Sequence, residues 1–351
     1  MLRAWSAAGP PAARITLISP FPGAVYSGMI PGWIAGRYRA EDCTIPLEPL
    51  ATRAGIGFVQ AAATAIDAEA KRVHVRRGDG RETSEAYDVL SIDIGGALAL
   101  DAIEGAAEHG LAVRPIERFV DELEARLRTA PPRDVVVIGG GAGGFELATA
   151  LRSRVGAAAR LHLVTGGPPL LASHPTGARS RALRALQALN IEVHRRSCTA
   201  IRLDHVELGA EERIACDLPV LATGTTAPTW LRSSGLALDA DGHVCVDETL
   251  QSTSHPGVFA AGDVATRLDA PRPRSGVYAV RAGPPLARNL RAVLEGRAPA
   301  PYRPQQRSLN LLRSRDGAAI ASWGGWSAEG RAIWWLKDRI DRRFVAAHRR
   351  A

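Results

Sequence analysis

Three glycines stand at the spacing Gly139-x-Gly141-x-x-Gly144, between a run of β-branched residues (Val135, Val136, Val137, Ile138) and a helical pattern that opens near Ala142. Glycines at these places free a sharp turn, let a pyrophosphate approach the backbone and let the helix pack on its strand. The phosphates would lie on the exposed N–H groups and positive end of that helix. A second motif, Thr253 to Asp263, reads as a short strand (Val258-Phe-Ala-Ala) followed by Gly262, which permits close approach. Asp263 comes next, with a carboxylate able to accept hydrogen bonds from a polyol. Taken alone, Asp263 reads equally as a helix cap. A third stretch, Ala24 to Trp33, carries Gly28, Pro31 and Gly32; it suits backbone laid against a flat ligand or a shaped turn. No Ser–His–Asp, paired-carboxylate or metal constellation is readable, so the chemistry on offer is holding and aligning ligands.

The elements that must position these motifs follow from periodicity. Leu2–Ala8 reads as the end of a helix and Arg14–Ser19 as a parallel-type strand, the second half of a βαβ unit of about 30 residues that would open with a strand and a glycine-rich turn. The first βα unit is therefore expected to be missing, through a misassigned start or natural shortening. Phe58–Ala62 and Arg72–Arg76 read as strands, with a hairpin turn at Gly78-Asp79-Gly80 and a buried strand over Tyr87–Ile94. Pro115 starts a helix whose apolar face is Ile116, Phe119, Val120, Leu123 and Leu127, stopped by Pro131-Pro132. After the glycine motif come a strand at Arg160–Thr165, a helix carrying Leu183, Leu186 and Leu189, a strand at Ile191–His194 and another at Leu218–Gly224. A further helix is predicted over Leu286–Leu294, beginning after Pro284-Pro285. The predicted class is α/β, with two Rossmann-like, three-layer dinucleotide-binding domains, one inserted in the other, and a small C-terminal α+β segment. The expected division is 1–114 and 233–300 for the outer domain, 115–232 for the inserted one and 301–351 for the tail.

Composition bounds the rest. The chain of 351 residues has a formal charge of +8, yet only Lys71 and Lys337 are lysines, and no basic stripe interleaved with aromatics appears, which argues against nucleic acid. No apolar run approaches the roughly 20 residues of a spanning helix, so cytoplasmic residence is expected, with peripheral contact at the inner face of the membrane as its variant. Cys43, Cys198, Cys216 and Cys245 are scattered without CxxC or metal-ligand spacing. Four of the seven tryptophans fall in the last fifty residues. There a helix is expected to carry Ile333, Leu336, Ile340 and Phe344 on one face and Lys337, Arg339, Arg342 and Arg343 on the other. It suits a membrane surface, a partner, or packing on its own protein.

The pairing of IGGGAGGFELA with a downstream HPGVFAAGDVA, separated by a strand ending in ATG, resembles the pyridine nucleotide–disulfide oxidoreductase superfamily over essentially the whole chain. GGFELA and the absence of CxxC resemble its type II NADH dehydrogenase branch. The stretches LISP, YSGMIPG, YDVLSIDIGG and the closing ASWGGWSAEGR resemble the oxidoreductases associated with selenide,water dikinase. The resemblance implies FAD in the outer domain, NAD(P)H in the inserted one, and a quinone or other small acceptor. It also implies a homodimer and an association with the dikinase. Carried onto this sequence, it gives Gly139, Gly141 and Gly144 the nicotinamide pyrophosphate and Thr223 and Gly224 the turn passing the cofactor. Gly262 and Asp263 take the ribityl and phosphate part of FAD, and the loop of Ser27 and Pro31 lies along the isoalloxazine. Glu146 falls at the nicotinamide–flavin junction; an acid complementing the helix dipole is its other reading. Thr165-Gly166-Gly167 supplies neither an acid for a ribose 2′-hydroxyl nor an arginine for a 2′-phosphate, leaving NADH and NADPH both open. The alternative function is a non-catalytic nucleotide-binding or docking module.

Overall fold

The computed structural model describes residues 1–210 and 212–350. Its best-formed sheet has five parallel strands in the order Ile191–His194, Arg160–Val164, Asp134–Ile138, Leu218–Leu221, Leu111–Ala112. Every residue of Asp134–Ile138 is buried, because both faces of the strand are covered. Val135 and Val137 face helices Ile116–Thr129, Ala142–Val155 and Thr176–Ala188 in the larger core. Val136 and Ile138 face an antiparallel meander of Cys198–Ile201, His205–Leu208 and Glu212–Ala215. Each fully buried valine or isoleucine side chain contributes about 1.5–3 kcal/mol. Chain order reverses beside the central strand, so the carboxyl ends of Asp134–Ile138 and Leu218–Leu221 open the crevice where such sheets bind ligands.

The outer domain is a second Rossmann-like layer with shorter strands. Thr16–Ser19 pairs in parallel with Gly57–Asp67, which continues antiparallel to Arg72–Arg77 and Glu82–Ala86 through the turn at Gly78–Gly80. Val258–Ala260 pairs in parallel with Leu90–Ile92, so the strand expected over Tyr87–Ile94 contracts to three residues. One core, including Ile66, Val75, Ile92, Val258 and Phe259, joins these pieces.

Two further expectations change. The helix read as starting at Leu286 runs from Gly276 to Leu294, with Pro284 and Pro285 inside it. The carbonyls those prolines leave unbonded belong to Val280 and Arg281, both exposed, so water can satisfy them. The last helix, Arg331–Arg350, buries Trp334, Lys337, Asp341 and Val345, while Leu336 and Ile340 face solvent. Lys337 thus leaves the basic face on which its charge had placed it. The helix rests on a three-stranded sheet, Asn310–Arg315, Ala318–Trp323 and Trp326–Gly330. It is tied back to the outer domain by Tyr26 stacked on Phe344 and by the Tyr38 hydroxyl donating to Asp338 at 2.6 Å.

Candidate active site

The glycine turn takes its shape from contacts a side chain would forbid. Gly139 has φ +140°, and a Cβ there would lie 2.1 Å from the Ala222 carbonyl oxygen; at Gly144 it would lie 1.8 Å from the Gly139 carbonyl oxygen. These two glycines let strand, turn and helix close on one another. At Gly141 and Gly143 a Cβ would meet nothing within 4 Å, so the backbone between the packed glycines faces open space. The helix Ala142–Val155 begins there with no side-chain cap, leaving its first amides free for an anion.

That open space is a cleft of roughly 630 Å³, within the usual range for a ligand site. The structure brings Ser27, Pro31, Gly139, Gly141, Glu146, Thr223, Gly224 and Asp263 together on its walls. Gly144 is buried behind the wall and acts through packing. Gly262, at φ +78°, adjoins the cleft in a smaller pocket that shares Asp263. Asp263 Oδ2 accepts a hydrogen bond from Arg114 Nη2 at 2.9 Å, an ion pair joining the linker before Pro115 to the outer domain.

Beyond Glu146 the wall hides a charge cluster. Glu146 Oε1 accepts the Arg313 backbone N–H at 2.7 Å and lies 3.9 Å from Lys337 Nζ. Lys337 Nζ also donates to Asp341 Oδ2 at 3.0 Å and to the Gly28 carbonyl at 2.8 Å, in the loop that lines the cleft. Burial raises the proton affinity of both carboxyls, and Lys337 offsets it only in part. Burial opposes the Lys337 charge, but Glu146 and Asp341 outweigh it and hold the ammonium above its ordinary value. Tyr26 is pushed up by burial and by Asp341. Arg313, 1% exposed, donates through Nη1 to Thr149 at 3.3 Å and through Nη2 to Ser153 at 2.7 Å, and pairs with Asp316. The C-terminal sheet is thereby clipped to the glycine-turn helix.

A profile of the pyridine nucleotide-disulphide oxidoreductase family matches residues 4–283. The chain belongs to this family. Among its relatives is the demethylphylloquinone reductase of Synechocystis sp., 31% identical over 291 residues that cover 80% of this chain and 72% of that one. The type II NADH:quinone oxidoreductase of Staphylococcus epidermidis is 25% identical over 95% of this chain and 89% of its own. Two solved structures share the fold. NDH2 from Plasmodium falciparum in complex with NADH has a TM-score of 0.76 at 13% identity, covering 95% of this chain and 92% of that one. The sulfide:quinone oxidoreductase of Aquifex aeolicus has a TM-score of 0.79 at 20% identity, covering 99% and 89%. Within the family the chain falls in the type II NADH dehydrogenase-like branch, whose cofactors are FAD and NADH.

The residues present fit both groups. The glycine turn and uncapped helix offer what a nicotinamide dinucleotide's pyrophosphate needs. On the other side, Ser275 Oγ is buried with no hydrogen-bond partner among the described residues. It stands at the uncapped start of the helix Gly276–Leu294, beside Asp263 on the same cleft, which suits the polar chain of FAD. Sequence reasoning missed Arg114, Ser275 and Lys337: a lone arginine before a proline, a serine in a Pro/Arg-rich loop and a lysine on an amphipathic helix carry no local signal.

Proposed function

We propose that the protein is an FAD-dependent NAD(P)H oxidoreductase that passes electrons to a quinone. The observation that carries the reading is one cleft walled by the glycine turn, Asp263, the Ser27–Pro31 loop and Glu146. Bound FAD supplies a two-electron carrier between a nicotinamide donor and a quinone. The chain's own work is alignment: amides around Gly141 hold the nicotinamide pyrophosphate, Thr223 and Gly224 pass its chain, and Asp263 and Ser275 hold the polar chain of FAD. Ser27 and Pro31 shape the floor for a flat ring. Quinone reduction by NADH consumes one proton from the medium, and Glu146, on the cleft wall beside Lys337, is the carboxyl placed to relay it.

In this reading residues 1–114 and 233–300 form the FAD domain, 115–232 the NAD(P) domain and 301–351 a cap. Among the described residues no helix is long and apolar enough to cross a membrane. Trp323, Trp326, Trp335, Leu336 and Ile340 are exposed on that cap, and supply the apolar surface for peripheral contact with a membrane holding the quinone. A homodimer and an association with selenide,water dikinase rest on motif resemblance alone; light scattering, with and without the dikinase, tests both.

The deciding experiment purifies the full chain, measures bound flavin and follows nicotinamide oxidation with a short-chain quinone. Yellow protein that bleaches with NADH or NADPH and is reoxidised by quinone is the expected result. Colourless protein that binds the nucleotide without oxidising it would overturn the enzyme reading in favour of a docking module.

A further inference from the structure

Two histidines far apart in sequence meet on one face of the inserted domain's sheet. Strands Arg160–Val164 and Ile191–His194 run parallel with His162 opposite Glu192 and Val164 opposite His194, and the period of two puts all three polar side chains on the same side. That side is covered by the meander, and the imidazoles are only 13% and 11% exposed. His162 Nδ1 lies 3.1 Å from His194 Nε2, and the Glu192 carboxylate lies 3.4 Å from the first and 3.7 Å from the second. A tetrahedral ion with bonds of about 2.0–2.1 Å separates its ligand atoms by about 3.3 Å. The far nitrogen of His194, Nδ1, lies 3.2 Å from Glu212 Oε1, and Glu212 is itself held by Arg196 at 3.4 Å.

We propose that His162, His194 and Glu192 form a binding site for a zinc-type divalent metal ion, with Glu212 as the positioning carboxylate behind His194. Two imidazoles and a carboxylate are a borderline donor set suited to zinc and its neighbours, and leave a fourth place for water. A carboxylate on the far nitrogen of a ligating histidine fixes its tautomer and raises its basicity. With Nδ1–H directed at Glu212, His194 presents a lone pair at Nε2, and the proton between the rings belongs to His162 Nδ1. The ion takes the place of that proton, and His162 binds as its other neutral tautomer, with the proton carried on Nε2. A second His/carboxylate group among the described residues, Asp239, Asp241 and His243, has the Arg274 guanidinium 2.8 Å from His243 Nδ1, and a cation is disfavoured there.

The site sits just behind the nucleotide turn. The His194 carbonyl accepts the Thr165 N–H at 2.9 Å, and Thr165 packs against Gly140. An ion here pins together the two strand ends on which that turn rests, independently of any flavin.

The test titrates the full-length, chelator-treated protein with zinc by calorimetry and with cobalt by visible absorption. Binding of one ion per chain in the micromolar range or tighter, with a tetrahedral cobalt spectrum and a raised melting temperature, is expected. His194→Ala should weaken binding by at least about 100-fold and Glu212→Gln by roughly 10- to 100-fold. If His194→Ala fails to fold, Glu192→Gln, whose side chain is 66% exposed, removes a ligand without disturbing the core. Wild-type protein that binds no tighter than millimolar, or a well-folded Glu192→Gln or His194→Ala that binds like wild type, would overturn the site.

Discussion

The glycine turn and the buried charge cluster share the helix Ala142–Val155, yet they meet the cleft by opposite means. At the turn, recognition comes from backbone, and the structure is intolerant of added atoms: a Cβ at Gly144 would strike the Gly139 carbonyl. At the cluster it comes from side chains, and the structure is intolerant of removal, because Lys337 lies between Glu146 and Asp341 with almost no solvent to replace it. A local motif suffices for the first. The second needs residues almost two hundred positions apart.

Substitutions at the turn should separate packing from binding. Gly144→Val should cost about 3 kcal/mol or more through overpacking and lose nucleotide binding with it. Gly141→Val projects into open space, so it should abolish NADH binding while leaving the melting temperature nearly unchanged; retained affinity in a fluorescence titration would break the contrast.

Lys337→Met should be next in size. It leaves two buried carboxyls without their cation, at about 3–5 kcal/mol, and the triple variant with Glu146→Gln and Asp341→Leu should recover most of that loss in denaturant titrations. Glu146→Gln alone should lower quinone-dependent turnover by about 100-fold while leaving the KM for NADH within twofold, since it removes a proton carrier and keeps the cleft's shape.

The smallest effect is a pH slope. Asp341, facing Lys337, Tyr26 and Asp338, has a raised proton affinity in the folded state. Its contribution to stability is present below the unfolded value of 3.8 and is lost as pH rises through the higher folded value. The melting temperature of Asp341→Asn, taken relative to wild type, should therefore become more favourable as pH rises above about 4. A difference that stays flat would show that Lys337 cancels the burial cost.

What the sequence made legible follows the same division. The strand-turn-helix at 134–155 and the Val258–Asp263 stretch were readable because every residue that defines them is a chain neighbour of the next. The meander at 198–215 was not: CTAI, HVEL and ERIA are four-residue strands, too short for a period to emerge. Helical periodicity sorted the last helix by polarity and so turned Lys337 outward, whereas its pairing with Asp341 lets both stand inside with Trp334 and Val345. Pro284 and Pro285 read as a helix start because the exposure that lets a helix pass through them is a tertiary fact. His162 and His194 carry no spacing signal, since strand register alone brings them together.

The dependence of Glu146 on Arg313 and Lys337 has a consequence for how the protein is made. Both helpers lie downstream of the glycine turn and of Asp263, so they leave the ribosome after the rest of the cleft wall has been synthesised. Until then the helix bearing Glu146 lacks its cover, so a nascent or prematurely ended chain can own both lobes and still have an unfinished reaction chamber.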